Sequence, residues 1–237
     1  AEKEAAARSW RYGVFARLAR THGYDHVVTG HTASDRAETL LYNLIRGSGA
    51  DGLQALSWQR SLAENTQKIY VTRPILQLTR QETGEFCRGL EIPVWYDSSN
   101  DDLQYRRNRI RQELMPYVRS HFNPSVETVL AQTAEILTAE VAYLDSQTNR
   151  LYSEIVHPLA DGWCLDRAVF RQTPLALQRR VARRLLQLVL SKQTTFEHIN
   201  KLVFLADAPN HSQTDPFPGG FIARVEHDQI KLVQYRH

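Results

Sequence analysis

Between Gly30 and Arg46 the chain sets a histidine, two carboxylates, a tyrosine and an arginine at spacings that allow phosphate chemistry. The β-branched run Asp25-His-Val-Val-Thr-Gly30 reads as a strand ending in glycine. Thr32 with Asp35 reads as a capping box that starts a helix. Backbone N–H groups at such a junction suit a phosphate, and a carboxylate beside them suits a metal ion carried by that phosphate. Asp35, Glu38, Tyr42 and Arg46 recur every three or four residues and share a face. Ala37, Leu40, Leu41, Leu44 and Ile45 form the face to be buried. A plainer reading fits the same residues: Asp35 only as cap partner, His31 as a satisfied loop histidine, and Glu38 and Arg46 as a solvated face.

The surrounding elements follow from periodicity and punctuation. Residues 1–22 read as one helix, with Ala6, Trp10, Phe15, Leu18 and Ala19 inward and Arg8 and Arg11 three apart outside. A Ser/Gln/Asn-rich loop runs to Gln67, Lys68–Thr72 reads as a strand, and Thr79 with Glu82 caps a helix over 80–90. Ile92–Tyr96 reads as extended, and a polar loop then leads to a helix carrying Arg106, Arg107, Arg109 and Arg111. That cluster suits a phosphate backbone or, equally, an exposed basic face. Met115-Pro116 closes a first domain, giving expected divisions at 1–118 and 119–237. A long helix runs from Ser125 to about Ile155, with Val126, Val129, Leu130, Thr133, Ile136, Leu137, Val141 and Leu144 as its stripe. Trp163–Leu165 reads as a short strand or turn. The helix after Thr173-Pro174 carries Leu177, Val181, Leu185, Leu186 and Val189 inward. Its other side bears a second basic stripe of Arg179, Arg180, Arg183 and Arg184. A helix from Thr195 and a hairpin around His227-Asp228 close the chain.

Gly30-His-Thr-x-x-Asp-x-x-Glu-Thr39, then Arg46-Gly-Ser-Gly and Gly52-Leu53, resembles the second signature of the N-type ATP pyrophosphatases, most closely the tRNA(Ile)-lysidine synthetase branch. Ala7-Arg-x-x-Arg-Tyr12, Arg73-Pro-Ile-Leu76, Asp97-x-Ser-Asn100 and Arg107-Asn-x-Ile-Arg111 resemble the same branch in order, so the likeness covers most of residues 1–116. The family's first signature, a Ser-Gly-Gly-x-Asp-Ser phosphate loop, is not among these residues. With its opening in mid-helix at Ala1 and no initiator Met, the chain reads as a piece that would need that loop to bind ATP well and to be active.

The resemblance implies an α/β fold: the C-terminal part of a Rossmann-like parallel-sheet ATP-pyrophosphatase domain, then a mostly helical tRNA-binding domain ending in a β-hairpin. It implies a cytoplasmic ligase using ATP and Mg²⁺. ATP adenylates the 2-oxygen of the wobble cytidine of an isoleucine tRNA with a CAU anticodon, and the lysine amine displaces AMP. On that basis Gly30 and His31 lie beside the nucleotide, and Asp35 binds ATP–Mg²⁺ or orients the base. Glu38 engages the cytidine or the lysine ammonium, and Arg11 stabilises the reacting phosphate. Arg46, Arg107, Arg109, Arg111, Arg183 and Arg184 contact tRNA or the departing group.

Composition bounds these expectations. The net charge of +3 is small, so a case for RNA rests on local clusters rather than on the global field. The two cysteines, Cys87 and Cys164, form no Cys-x-x-Cys, which disfavours the nearest alternative, a tRNA 2-thiolation enzyme of the same group. A non-catalytic tRNA-binding protein is the other alternative. No apolar run approaches the roughly 20 residues needed to span a bilayer, and a homodimer is among the assemblies that the sequence allows.

Overall fold

The computed structural model describes residues 2–62, 68–95, 97–190 and 194–234, without the side chains of residues 2–5, 8 and 99. Tyr96, the end of the loop before Lys68, and the Arg8 side chain therefore lie outside the described residues. The chain forms two compact units, Ala1–Val141 and Ala142–His237.

The first unit begins with α1 (Glu2–His22), β1 (His26–Val28), α2 (Ala33–Ile45), α3 (Ala50–Leu53), β2 (Gln59–Ser61), β3 (Tyr70–Thr72) and α4 (Arg80–Gly89). A 3₁₀ turn at Ser98–Asp101 precedes α5 (Arg106–Arg109), a π-helical turn (Ile110–Leu114) and α6 (Met115–His121). Strand β3 is central in the order β1-β3-β2, parallel to β1 and antiparallel to β2. Its Val71 and the preceding Ile69 are fully buried. The expected strand β1 is present and lies at the edge of the described sheet, where Val28 is 66% exposed.

Two apolar stripes turn differently from the sequence pattern. On α2, Ala37 and Leu40 are buried but Leu44 and Ile45 are exposed. The buried side also takes Arg36 and Glu38, whose charges have partners described below. On α1, Ala16 and Ala19 pack on Ile69 while Trp10 and Leu18 remain exposed. A second cluster joins Ala37 to Ile110, Met115 and Val126. Ile110 and Met115 are five apart and both buried because the Met115 N–H donates to the Ile110 carbonyl, which closes the π turn.

Helix α7 (Val126–Ile155) continues past the first unit. Ala131, Ala134 and Val141 carry its buried side, and the expected Ile136 faces solvent. The boundary between the compact units falls after Val141, within α7, whose first half supplies Glu127, Glu135 and Thr138 to hydrogen bonds with α2.

The second unit adds β4 (Val156–Leu159), β5 (Gly162–Asp166), α8 (Arg167–Gln172), α9 (Leu175–Val189), α10 (Phe196–Phe204), β6 (Phe221–Glu226) and β7 (Gln229–Gln234). The expected hairpin is present, but it is half of a four-stranded antiparallel sheet ordered β4-β5-β7-β6. Helix still outweighs strand in this unit, and Pro158 lies in β4, an edge position that tolerates a missing N–H. His227, at φ 54°, makes the tight turn. Val181, Leu185 and Leu186 of α9 pack with Phe170, Leu165, Ile230 and Leu232 in one core.

These packings set unequal costs. Phe170→Ala should destabilise the protein by about 3–5 kcal/mol, whereas Leu44→Ala should change stability by less than about 0.5 kcal/mol. Urea unfolding followed by circular dichroism distinguishes the two.

Candidate active site

Asp35 and Glu38 occupy successive turns at the start of α2, where Thr32 is the N-cap. The capping box is present: the Thr32 backbone N–H donates to Asp35 Oδ2 at 2.8 Å, and the Thr32 hydroxyl donates to the same oxygen at 2.9 Å. Three guanidinium groups close on the two carboxylates. Arg80 Nη1 meets Glu38 Oε1 at 2.9 Å and its Nη2 meets Asp35 Oδ1 at 3.0 Å. Arg111 takes Glu38 side-on, Nε to Oε1 at 2.9 Å and Nη2 to Oε2 at 3.0 Å. Arg107 Nε donates to Glu38 Oε2 at 3.2 Å and its Nη2 to Asp35 Oδ1 at 3.3 Å. The Glu38 side chain is only 2% exposed, so these bonds replace its entire hydration.

Several elements of the first unit deliver parts of this cluster. Arg107 and Arg111 are four apart across the α5–π junction and so point the same way. Asn100, from the 3₁₀ turn, orients Arg111 by accepting from Nη1 at 2.9 Å. Arg80 is the first residue of α4, capped by Thr79 and Glu82. Its backbone N–H donates to Ser34 Oγ at 3.0 Å, and that hydroxyl donates to Glu127 of α7 at 2.5 Å. Arg36, also on α2, reaches Glu135 at 2.5 Å, a carboxylate that also accepts from Trp58 Nε1 at 3.1 Å.

Burial alone would raise the Asp35 carboxyl. The Thr32 N–H and the guanidiniums of Arg107 and Arg80 outweigh it and hold the group below the usual carboxylate range. The Glu38 carboxylate, accepting from Arg111, raises that guanidinium above its ordinary value.

The site residues read from the sequence therefore divide. Asp35, Glu38, Arg107 and Arg111 come together. His31 sits at the α2 entrance with Nδ1 2.8 Å from Thr29 Oγ1. Gly30 is exposed, and a Cβ there would meet no protein atom within 4 Å, so the chain itself imposes no need for glycine at this point. Arg46 is the C-cap of α2, and its guanidinium lies 5.7 Å from the centre of the Tyr42 ring. Arg11 on α1 and Arg109 on α5 are exposed and make no described contact with either acid. In the second unit, Arg184 bonds Asn149 and lies 4.7 Å over the Tyr152 ring, and Arg183 is exposed on the same helix.

Asp35 as a metal ligand does not fit this arrangement. One of its oxygens is held by Thr32 and the other faces three guanidiniums, whose charge opposes a divalent cation. Among the described residues no group of three or more His, Cys, Asp or Glu could hold a metal ion.

Sequence reasoning missed Arg80 and Asn100. A signal for Arg80 was present: a cation at the first position of a helix opposes the macrodipole, a local misfit that implies an external carboxylate partner.

Residues 1–118 match the PP-loop domain family. A tRNA(Ile)-lysidine synthase of Nostoc sp. is 52% identical over 97% of this chain and 70% of its own length. Proteins of the same description from Synechocystis sp. and Gloeobacter violaceus are 49% and 46% identical, over 98% and 97% of this chain and 71% and 69% of their own lengths.

Breaking the cluster should be costly. Glu38→Gln leaves guanidinium charge uncompensated and should destabilise by about 3–5 kcal/mol; Arg109→Ala should cost less than about 0.5 kcal/mol. Because the folded-state pKa of Asp35 is lowered, its contribution is fully present above the unfolded value of about 3.9 and is lost as pH falls through the lower folded value. Asp35→Asn should therefore flatten the loss of stability below about pH 4, read from urea unfolding between acidic and neutral pH.

Proposed function

This chain belongs to the tRNA(Ile)-lysidine synthase family, and from that premise we propose that it joins lysine to the wobble cytidine of an isoleucine tRNA with a CAU anticodon, using ATP. The observation that carries the reading is similarity to lysidine synthases along 97% of the chain, through both compact units. The reaction has two steps. The cytidine 2-oxygen attacks the α-phosphorus of ATP and pyrophosphate leaves; the lysine amine then attacks the base carbon and AMP leaves with that oxygen.

Both steps need negative charge to be held in a dry, preorganised site. Arg80, Arg107 and Arg111 supply the compensating positive charge, and Asp35 and Glu38 keep their guanidiniums in place before substrate arrives. Asp35 and Glu38 also offer the polarity needed to orient cytidine or the lysine ammonium, provided that an arginine yields as the substrate enters. Gly30 and His31 flank the nucleotide: the open space at Gly30 accepts a ligand where a side chain would intrude. Mg²⁺ fits this scheme as the companion of the ATP phosphates rather than as an ion held by Asp35. Arg11, Arg46 and Arg109, exposed on the first unit, are free to meet tRNA or the reacting phosphate, and Arg183 and Arg184 offer a basic helix face on the second. No described helix is long and apolar enough to cross a membrane, and we place the reaction in the cytoplasm. Whether the protein acts as a homodimer is decided by light scattering.

The test is nucleoside mass spectrometry on tRNA incubated with the full-length protein, ATP and isotopically labelled lysine. A labelled cytidine adduct at the wobble position is expected, and its absence would remove the assignment. Asp35→Asn should lower the rate by about 10²–10³-fold. Arg183→Ala with Arg184→Ala should weaken tRNA binding and reduce its salt slope by about 1–2; an unchanged slope would eliminate that helix face.

A further inference from the structure

Beside the acid pair, the first unit holds a cavity of about 290 Å³ lined by Glu38, Arg80, Arg111, Arg119 and Glu127, with Gln81, Met115 and Pro116 completing the wall. Its charged side chains are not equivalent in what they still have to offer. Glu38 Oε1 accepts from Arg80 and Arg111, and Oε2 from Arg107 and Arg111, so its lone pairs are filled. Glu127 accepts from Ser34 on one oxygen and from Arg119 on the other. Each guanidinium, by contrast, carries five N–H donors. Arg119 engages Glu127 through Nη2, and its side chain remains 47% exposed. Arg80 meets the carboxylates through one bond from each terminal nitrogen. The cavity therefore has donors to spare, with the Glu38 acceptors taken and one bond already on each Glu127 oxygen, a balance that favours an anion over an ammonium group. Charge agrees: Arg80, Arg107, Arg111 and Arg119 face Asp35, Glu38 and Glu127 across this cluster, four positive groups against three negative. The volume lies at the lower limit of ordinary ligand pockets, about 300 Å³, enough for a phosphate-sized anion but small for a whole nucleotide.

We propose that this cavity binds a phosphate group, with Arg119 and the remaining N–H donors of Arg80 and Arg111 as its ligands. The identity of that group rests on the ATP and tRNA reading above: it is either free pyrophosphate or a phosphodiester of the RNA backbone. Because Arg80 and Arg111 also hold Glu38, a phosphate in the cavity shares its donors with the acid pair, and its arrival is felt there.

Isothermal titration calorimetry of the full-length protein at low salt tests this, with inorganic phosphate, pyrophosphate and cytidylyl-(3′→5′)-adenosine as separate probes and no lysine present. Saturable binding of pyrophosphate identifies the free anion, and saturable binding of the dinucleoside monophosphate identifies the RNA diester; either supports the cavity. Arg119→Gln should weaken the bound probe about tenfold, the loss of one charge-assisted hydrogen bond. Arg119→Lys should weaken it less. Arg88→Gln, a charge removed from the exposed end of α4, should leave it unchanged. No saturable binding of any probe, or equal weakening by Arg119→Gln and Arg88→Gln, overturns the proposal. Lysidine formation is read separately, so failure of binding and failure of the enzymatic reading are distinguishable.

Discussion

Glu38 is a carboxylate withdrawn from water, and much of the first unit is arranged to make that tolerable. The effective penalty for burying an ion is several kcal/mol, and mutual attraction offsets it only when the remaining lone pairs are met. Three arginines from two separate stretches of chain meet them. Arg80 opens α4 against the helix dipole, Arg107 and Arg111 straddle the α5–π junction, and Asn100 accepts a hydrogen bond from the last guanidinium. Each choice is locally unfavourable or unusual, and each is explained by one pair of acids at the start of α2. An irregular turn and an adverse helix start at the same place are what a site under functional constraint looks like.

The arginines of this protein are not one population. Arg36 and Arg73 are buried and tie elements of the fold together, through Glu135 and through the Ser57 carbonyl. Arg80, Arg107 and Arg111 serve the acid pair. On α9, Arg180 pairs with Asp145 at 2.6 Å, Arg184 meets Asn149 and Tyr152, and Arg179 lies 5.2 Å over the Phe196 ring, so a stripe that reads as free cationic surface is already partly engaged. Exposed arginines such as Arg11, Arg46 and Arg109 keep their charge available for polyanionic substrate. A count of basic residues therefore says little about RNA recognition until partners are known.

Local order was readable wherever neighbours in sequence decide it. The capping boxes at Thr32 and Thr79, the long helix ending at Ile155 and the hairpin turn at His227 depend on residues within one or two turns of each other. Faces were harder. On α2 a pattern of apolar residues marks Leu44 and Ile45 for burial, yet the helix turns Arg36 and Glu38 inward, because each charge meets an opposite charge there. On α7 the alanines at 131 and 134, rather than the larger Ile136, face inward.

The sequence by itself determined the family, the strand-to-helix junction at Gly30–Asp35, and the presence of Asp35, Glu38, Arg107 and Arg111 among the residues of the site. These are properties of motif and short-range spacing. Only the tertiary structure decided that Asp35 and Glu38 hold guanidiniums, that Arg80 and Asn100 complete the cluster, and that β4 and β5 join the terminal hairpin in one sheet. Arg80 and Asp35 lie 45 positions apart in the chain, yet they are hydrogen-bonded at 3.0 Å. Spacing along a chain carries no information about such a contact, whereas the desolvation of a buried carboxylate and a half-buried one requires it.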